Sequence, residues 1–128
     1  MTDLVKALMT GECFRTTRQE LIRDYPHPSD LAALILRCAG EKHINRALDV
    51  ASKAAVSKKE ILDLFASEFK LRYDFMDSLA GASPNGSANI YLPTGEMTEK
   101  ALNWKAEYSS LETLHTETKA ILEYYGKA

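Results

Sequence analysis

Cysteine is scarce. The 128 residues hold two, Cys13 and Cys38, too few for a disulfide framework, and they read as free, buried thiols in a reducing cytoplasm. Long apolar runs are missing as well: the longest, Leu31 to Leu36, is six residues, far short of the ~18 that a membrane span needs. No basic segment followed by an apolar stretch opens the chain, so no secretory signal is visible. A cytoplasmic protein without a membrane partner is expected. Neither sign of charge dominates, with 16 Lys+Arg against 18 Asp+Glu and a net charge of −2. The split is uneven: residues 1–60 carry ten basic and eight acidic side chains, residues 61–128 six and ten. A polyanion would sooner meet the N-terminal half.

Recognisable chemistry is also thin. His27, His43 and His115 are far apart, and none has a second ligand-type residue at metal-site spacing. His115 falls in an apolar seam and reads as a packed, hydrogen-bonded histidine. Gly81 and Gly86 are not followed by Lys-Ser/Thr, so no phosphate loop is present. Neither cysteine has the cationic helix start and matched histidine of a nucleophile. These absences predict no catalytic residue, no metal and no cofactor, hence a protein that is not an enzyme.

What is present is an ordinary globular composition, 45% hydrophobic and 27% charged, enough for one domain with a real core. Leu4, Val5 and Leu8 predict a helix from Thr2 to Met9 that stops at Gly11. Thr17-Arg18-Gln19-Glu20 has capping-box spacing and predicts a short helix ending near Tyr25, ahead of Pro26. Pro28 and Ser29 open a helix, stopped by Gly40, that is apolar nearly all round and so predicted to be central. Ile44, Ala47, Leu48, Ala51 and Ala55 keep a helical period. Ser57-Lys58-Lys59-Glu60 is a second capping box, starting a helix predicted to reach Leu79, roughly 33 Å. Residues 81–95 read as an extended loop around Asn85-Gly86. From 96 to 126 one long helix is predicted. Its seam of Met97, Ala101, Trp104, Tyr108, Leu111, His115, Thr118, Leu122 and Tyr125 steps by four and three.

The sequence therefore predicts an all-α single-domain bundle of about five to six helices: a helical core over 1–80, the 81–95 loop, and a long C-terminal helix. That helix would pack on the core or on a second chain, making a homodimer through 97–125. Two functions fit this reading. The first is a non-enzymatic protein-binding module, an adaptor, regulatory subunit or inhibitor, with Ile90, Tyr91, Leu92, Trp104 and Tyr108 as contact residues. The second is a small DNA-binding regulator. Ala51, Ala55, Val56 and Ile61 suit a helix-turn-helix at 44–66. Ser57 would cap its recognition helix, and Lys58, Lys59, Arg15, Arg18 and Arg23 would reach phosphates. Asp63 in the groove-facing position and Ala55 in place of a turn glycine count against it.

Overall fold

The computed structural model describes residues 1–42, 44–76, 90 and 92–126. The chain opens with α1, Thr2–Thr10, which Gly11 ends in a left-handed conformation at φ 72, as glycine does most readily. Two strands follow, β1 at Phe14–Thr17 and β2 at Ile22–Arg23. α2, Pro28–Gly40, starts on a proline, and the His27 Nδ1 accepts the Ser29 N–H at 3.1 Å. After an irregular stretch come β3 (Val56–Ser57), α3 (Lys58–Phe69) and β4 (Tyr73–Met76). α4 (Glu96–Leu102) and α5 (Ser110–Tyr124) complete the fold. β1 pairs with β4 in parallel, Phe14 opposite Tyr73 and Thr17 opposite Met76. β2 pairs with β3 in the antiparallel sense, Ile22 opposite Ser57.

The all-α expectation is thus wrong, because the chain is a mixed α/β fold. A two-stranded pair is marginal alone, and here packing supports it. Leu4 and Ala7 of α1, Ile61, Leu62 and Phe65 of α3, and Leu114 of α5 close one core with Val56 and Leu71. Phe14 and Tyr73 pack against it from the parallel pair.

Three departures from the predicted helices share one cause: distant groups take the main-chain partners that a local helical turn would use. The capping-box segment at 17–20 is no helix. Lys58 Nζ donates to the carbonyls of Thr17 and Gln19, and the Lys58 N–H donates to Leu21 O at 2.8 Å. Residues 44–55 are not helical either, which removes the helix-turn-helix. Lys53 N–H donates to Tyr108 O and Ala54 O accepts from Ser110 N–H, at 2.9 and 2.8 Å. The predicted long C-terminal helix is two helices. Asn103 turns left-handed at φ 47, and the N–H groups of Glu107 and Tyr108 donate to the Asp30 carboxylate at 3.0 and 3.1 Å. The 97–125 seam is broken there, and with it the basis for a dimer.

α3 also stops early. Lys70 adopts φ 59 and the Leu71 N–H closes on Phe65 O, so twelve residues span roughly 18 Å and Tyr73–Met76 turn into β4. α2 is not the central helix: Asp30 and Leu34 are buried, whereas Leu31, Ile35 and Leu36 are exposed. Cys13 is exposed rather than buried. The predicted Asn85-Gly86 turn lies outside the described residues. Among the described residues no helix is long and apolar enough to cross a membrane.

The predicted start of α3 did follow from local sequence, and the same pattern starts α5 where one continuous helix was expected. Ser57 and Glu60 cap α3 reciprocally, as Ser109 and Glu112 cap α5. The N–H and then the hydroxyl side chain of each serine hold Glu60 and Glu112 below the ordinary carboxylate range. A carboxylate with a depressed folded pKa stabilises the fold above its unfolded value, about 4.3 for glutamate, and loses that contribution as pH falls through the folded value. The Glu60→Gln/Glu112→Gln variant should therefore be less stable than the parent at pH 7. The difference in urea midpoints should close towards pH 3, and a constant difference would exclude the linkage.

Candidate functional site

β1, β4 and the start of α3 meet around a cavity of about 280 Å³ lined by Thr17, Arg18, Glu20, Lys58, Lys59, Leu62, Asp63, Tyr73 and Phe75. Each element contributes in a definite way. The parallel pairing places the end of β1 beside Phe75 and Met76. The Ser57 cap fixes where α3 begins and so where Lys58 and Lys59 leave the main chain. Alternation along β4 puts Tyr73 and Phe75 on one side, their rings edge-on with centroids 5.6 Å apart. The Arg18 guanidinium lies 4.8 Å from the Phe75 ring centroid, a cation–π contact that orients it over an aromatic face.

The three cations are in different states. Lys59 Nζ is 2.6 Å from Asp63 Oδ2, so its charge is matched. Lys58 is held against main-chain carbonyls of the β1–β2 connection, and burial lowers its pKa while Glu20 partly offsets that. Arg18 keeps a planar fork of donors suited to an anion or a carbonyl pair. Among the described residues the lining contains no histidine, cysteine or serine.

Of the residues singled out in the sequence, Arg18, Lys58 and Lys59 meet here. Ser57 serves as the α3 cap instead. Arg15 stands exposed on β1 opposite Asp74. Arg23 sits in β2 and donates to Ile22 O at 2.9 Å. The four predicted contact residues that are described, Ile90, Leu92, Trp104 and Tyr108, do not line this site. Ile90 is exposed and forms a parallel bridge to Ile22, Leu92 is exposed, and Tyr91 lies outside the described residues. Trp104 lines a separate cavity of about 370 Å³ with Lys53, Gly95 and Glu99. Tyr108 is stacked on His27 at 4.0 Å. His115 packs 5.7 Å from Phe69. Tyr73 and Phe75 were missed because the helix predicted to reach Leu79 runs through them; their alternation in an aromatic run was the available strand signal. Among the described residues no group of histidine, cysteine or acidic side chains could hold a metal.

Neither a family model nor a curated protein sequence matches this chain. Solved structures do. The UDP-glucuronic acid 4-epimerase of Bacillus cereus, in complex with UDP-glucuronic acid and NAD, superposes with a TM-score of 0.76 at 15% identity, covering 96% of this chain. The Thermotoga maritima UDP-glucose 4-epimerase, with UDP-glucose, gives 0.72 at 16% identity over 95%. The Bordetella bronchiseptica enzyme WbmG, with NAD and UDP, gives 0.71 at 21% identity over 98%. This chain spans 39%, 38% and 39% of those chains respectively. The fold is one that NAD- and UDP-sugar-binding enzymes use. The expectations of a non-enzymatic binding module, of a DNA-binding regulator, and of a protein with only macromolecular partners and no small-molecule cofactor are overturned by that likeness. What these 128 residues share with those enzymes is an α/β fold over less than half of their length.

Proposed function

We propose that this chain is the sugar-nucleotide-binding portion of an NAD-dependent enzyme that acts on nucleoside-diphosphate sugars. The observation that carries the reading is the superposition over nearly the whole chain on enzymes in complex with UDP-sugars and NAD. The cavity between β1, β4 and α3 supports it. A pyrimidine ring can lie against Tyr73, with Arg18, held over Phe75, and Lys58 near the diphosphate.

The residues of this chain do not fit the dinucleotide itself. An NAD pyrophosphate needs a Gly-rich turn between a buried strand and an uncapped helix N-terminus. The six glycines, at 11, 40, 81, 86, 95 and 126, contain no G-x-G-x-x-G spacing. The N-termini of α2, α3 and α5 are already closed by His27, Ser57 and Ser109. No step through NAD is therefore assigned to these residues; their part is to bind and orient the nucleotide end of the substrate. A cytoplasmic location belongs to the same proposal, since Cys13 and Cys38 are free thiols of the kind that reducing compartments preserve.

Titration calorimetry with UDP tests it. Saturable binding that weakens with salt is expected, and Arg18→Ala should reduce affinity about tenfold, roughly 1.4 kcal/mol. Because Arg18 is exposed, its removal should leave the melting temperature nearly unchanged. No heat of binding at millimolar UDP would sink the proposal.

A further inference from the structure

We infer that Lys58 is a positioning residue: its ammonium clasps the chain on both sides of Arg18 and so presents the Arg18 guanidinium to the substrate's diphosphate, an inference that rests on the proposed function. Lys58 is the first residue of α3 and is half-buried. Its Nζ donates to the carbonyl of Thr17 and, at 3.1 Å, to that of Gln19. Those two residues stand on either side of Arg18. The rest of the β1–β2 connection is tied to the same helix start. The Lys58 N–H donates to Leu21 O at 2.8 Å, and the Lys59 N–H donates to Glu20 Oε1 at 3.2 Å. The attachment continues into β2, where Ile22 lies opposite Ser57.

Thr17, Gln19, Glu20 and Leu21 are thus all fastened to the first turn of α3. Arg18 stands between them, exposed, with its guanidinium 4.8 Å from the Phe75 ring centroid. The N–H groups that open α3 are already used, those of Lys58 and Lys59 on Leu21 and Glu20, and that of Glu60 on the Ser57 hydroxyl at 3.2 Å. That turn has none left for a phosphate, so recognition falls to side chains. Lys59 is matched by Asp63. Lys58 spends two of its three donors on carbonyls. The Arg18 fork remains as the group suited to a diphosphate. Ordering a long, rotamer-rich side chain at the moment of binding costs affinity. Fixing the main chain at 17 and 19, with Phe75 under the guanidinium, lowers that cost. A compact ammonium on a flexible stem can reach both carbonyls from one point.

A double-substitution cycle on the whole chain, with UDP titrated by calorimetry, tests the role. Lys58→Met keeps the stem and removes the donors. It should weaken UDP binding about fivefold, the order of what fixing one long side chain contributes. In the Arg18→Ala background the same change should cost less than about twofold, because a residue that acts through Arg18 then has nothing to position. Lys58→Arg, whose fork can span both carbonyls, should restore most of the affinity. Losses that multiply in the double variant would make Lys58 a direct phosphate contact and overturn the inference. So would a Lys58→Met chain that binds UDP as the parent does. A second readout needs no ligand: limited trypsin digestion followed by mass spectrometry. Lys58→Met should speed cleavage after Arg18 about fivefold relative to cleavage after the exposed Arg37, since an unclasped connection opens more readily. An unchanged ratio also overturns the inference. Should Lys58→Met not fold, Lys58→Gln carries both comparisons. No UDP binding by the parent refutes the proposed function, and the role in substrate binding with it, whereas the cleavage ratio by itself decides whether the clasp exists.

Discussion

Asp30→Ala should lower the unfolding free energy by about 3–5 kcal/mol, the combined worth of two charge-assisted hydrogen bonds and the desolvation left behind. Asp30 is 3% exposed. Its two oxygens accept the main-chain N–H groups of Glu107 and Tyr108 at 3.0 and 3.1 Å. The carboxylate also sits in the first turn of α2, where the helix dipole favours negative charge. Without it the 103–109 connection loses its anchor, and Tyr108 its fixed place against His27. Asp30→Asn keeps the shape but turns an N–H₂ towards one of the donors, so an intermediate loss is expected. Urea unfolding measures both. An alanine variant within 1 kcal/mol of the parent, a margin below a single such bond, would show that the connection is held by something else.

Phe65→Ala should cost a similar 3–5 kcal/mol, by cavity formation rather than lost hydrogen bonds. Phe65 is 0% exposed and lies at the centre of the core. Its ring meets Phe69 in a T-shaped contact at 5.4 Å, and α1, α3 and α5 all pack there. Removing it takes support from the helix that positions Lys58, Lys59 and Leu62 at the cavity. Phe65→Leu, which keeps much of the volume, should lose roughly half as much. Equal losses for Leu and Ala would show that the ring contact, not the filled volume, is what matters. Near-neutral effects for both would mean that the core lies elsewhere.

Parts of the fold are legible without tertiary structure. Gly11 ends α1 and Pro28 starts α2 where the sequence places them, and Ser57-x-x-Glu60 starts α3. In each case one residue's conformational preference or one hydrogen bond within four positions decides the outcome. The break between α4 and α5 was legible too. Asn103 is a residue that tolerates the left-handed cap, and Ser109-x-x-Glu112 repeats the capping-box spacing of α3. The four-and-three apolar seam concealed both signals.

The sequence by itself determined where α1 ends and where α2 and α3 begin, the absence of a Gly-rich dinucleotide turn, and Arg18, Lys58 and Lys59 as cations suited to phosphate. Tertiary structure alone decided that residues 14–17 and 73–76 are strands and that 44–55 is not a helix. It also decided that the three cations share a cavity with Tyr73 and Phe75. The reason is the range of the deciding contacts. Lys58 reaches the Thr17 carbonyl across 41 positions, and the Tyr108 N–H reaches Asp30 across 78. A local helix and a distant partner compete for the same main-chain groups, and no window of neighbouring residues contains the distant one.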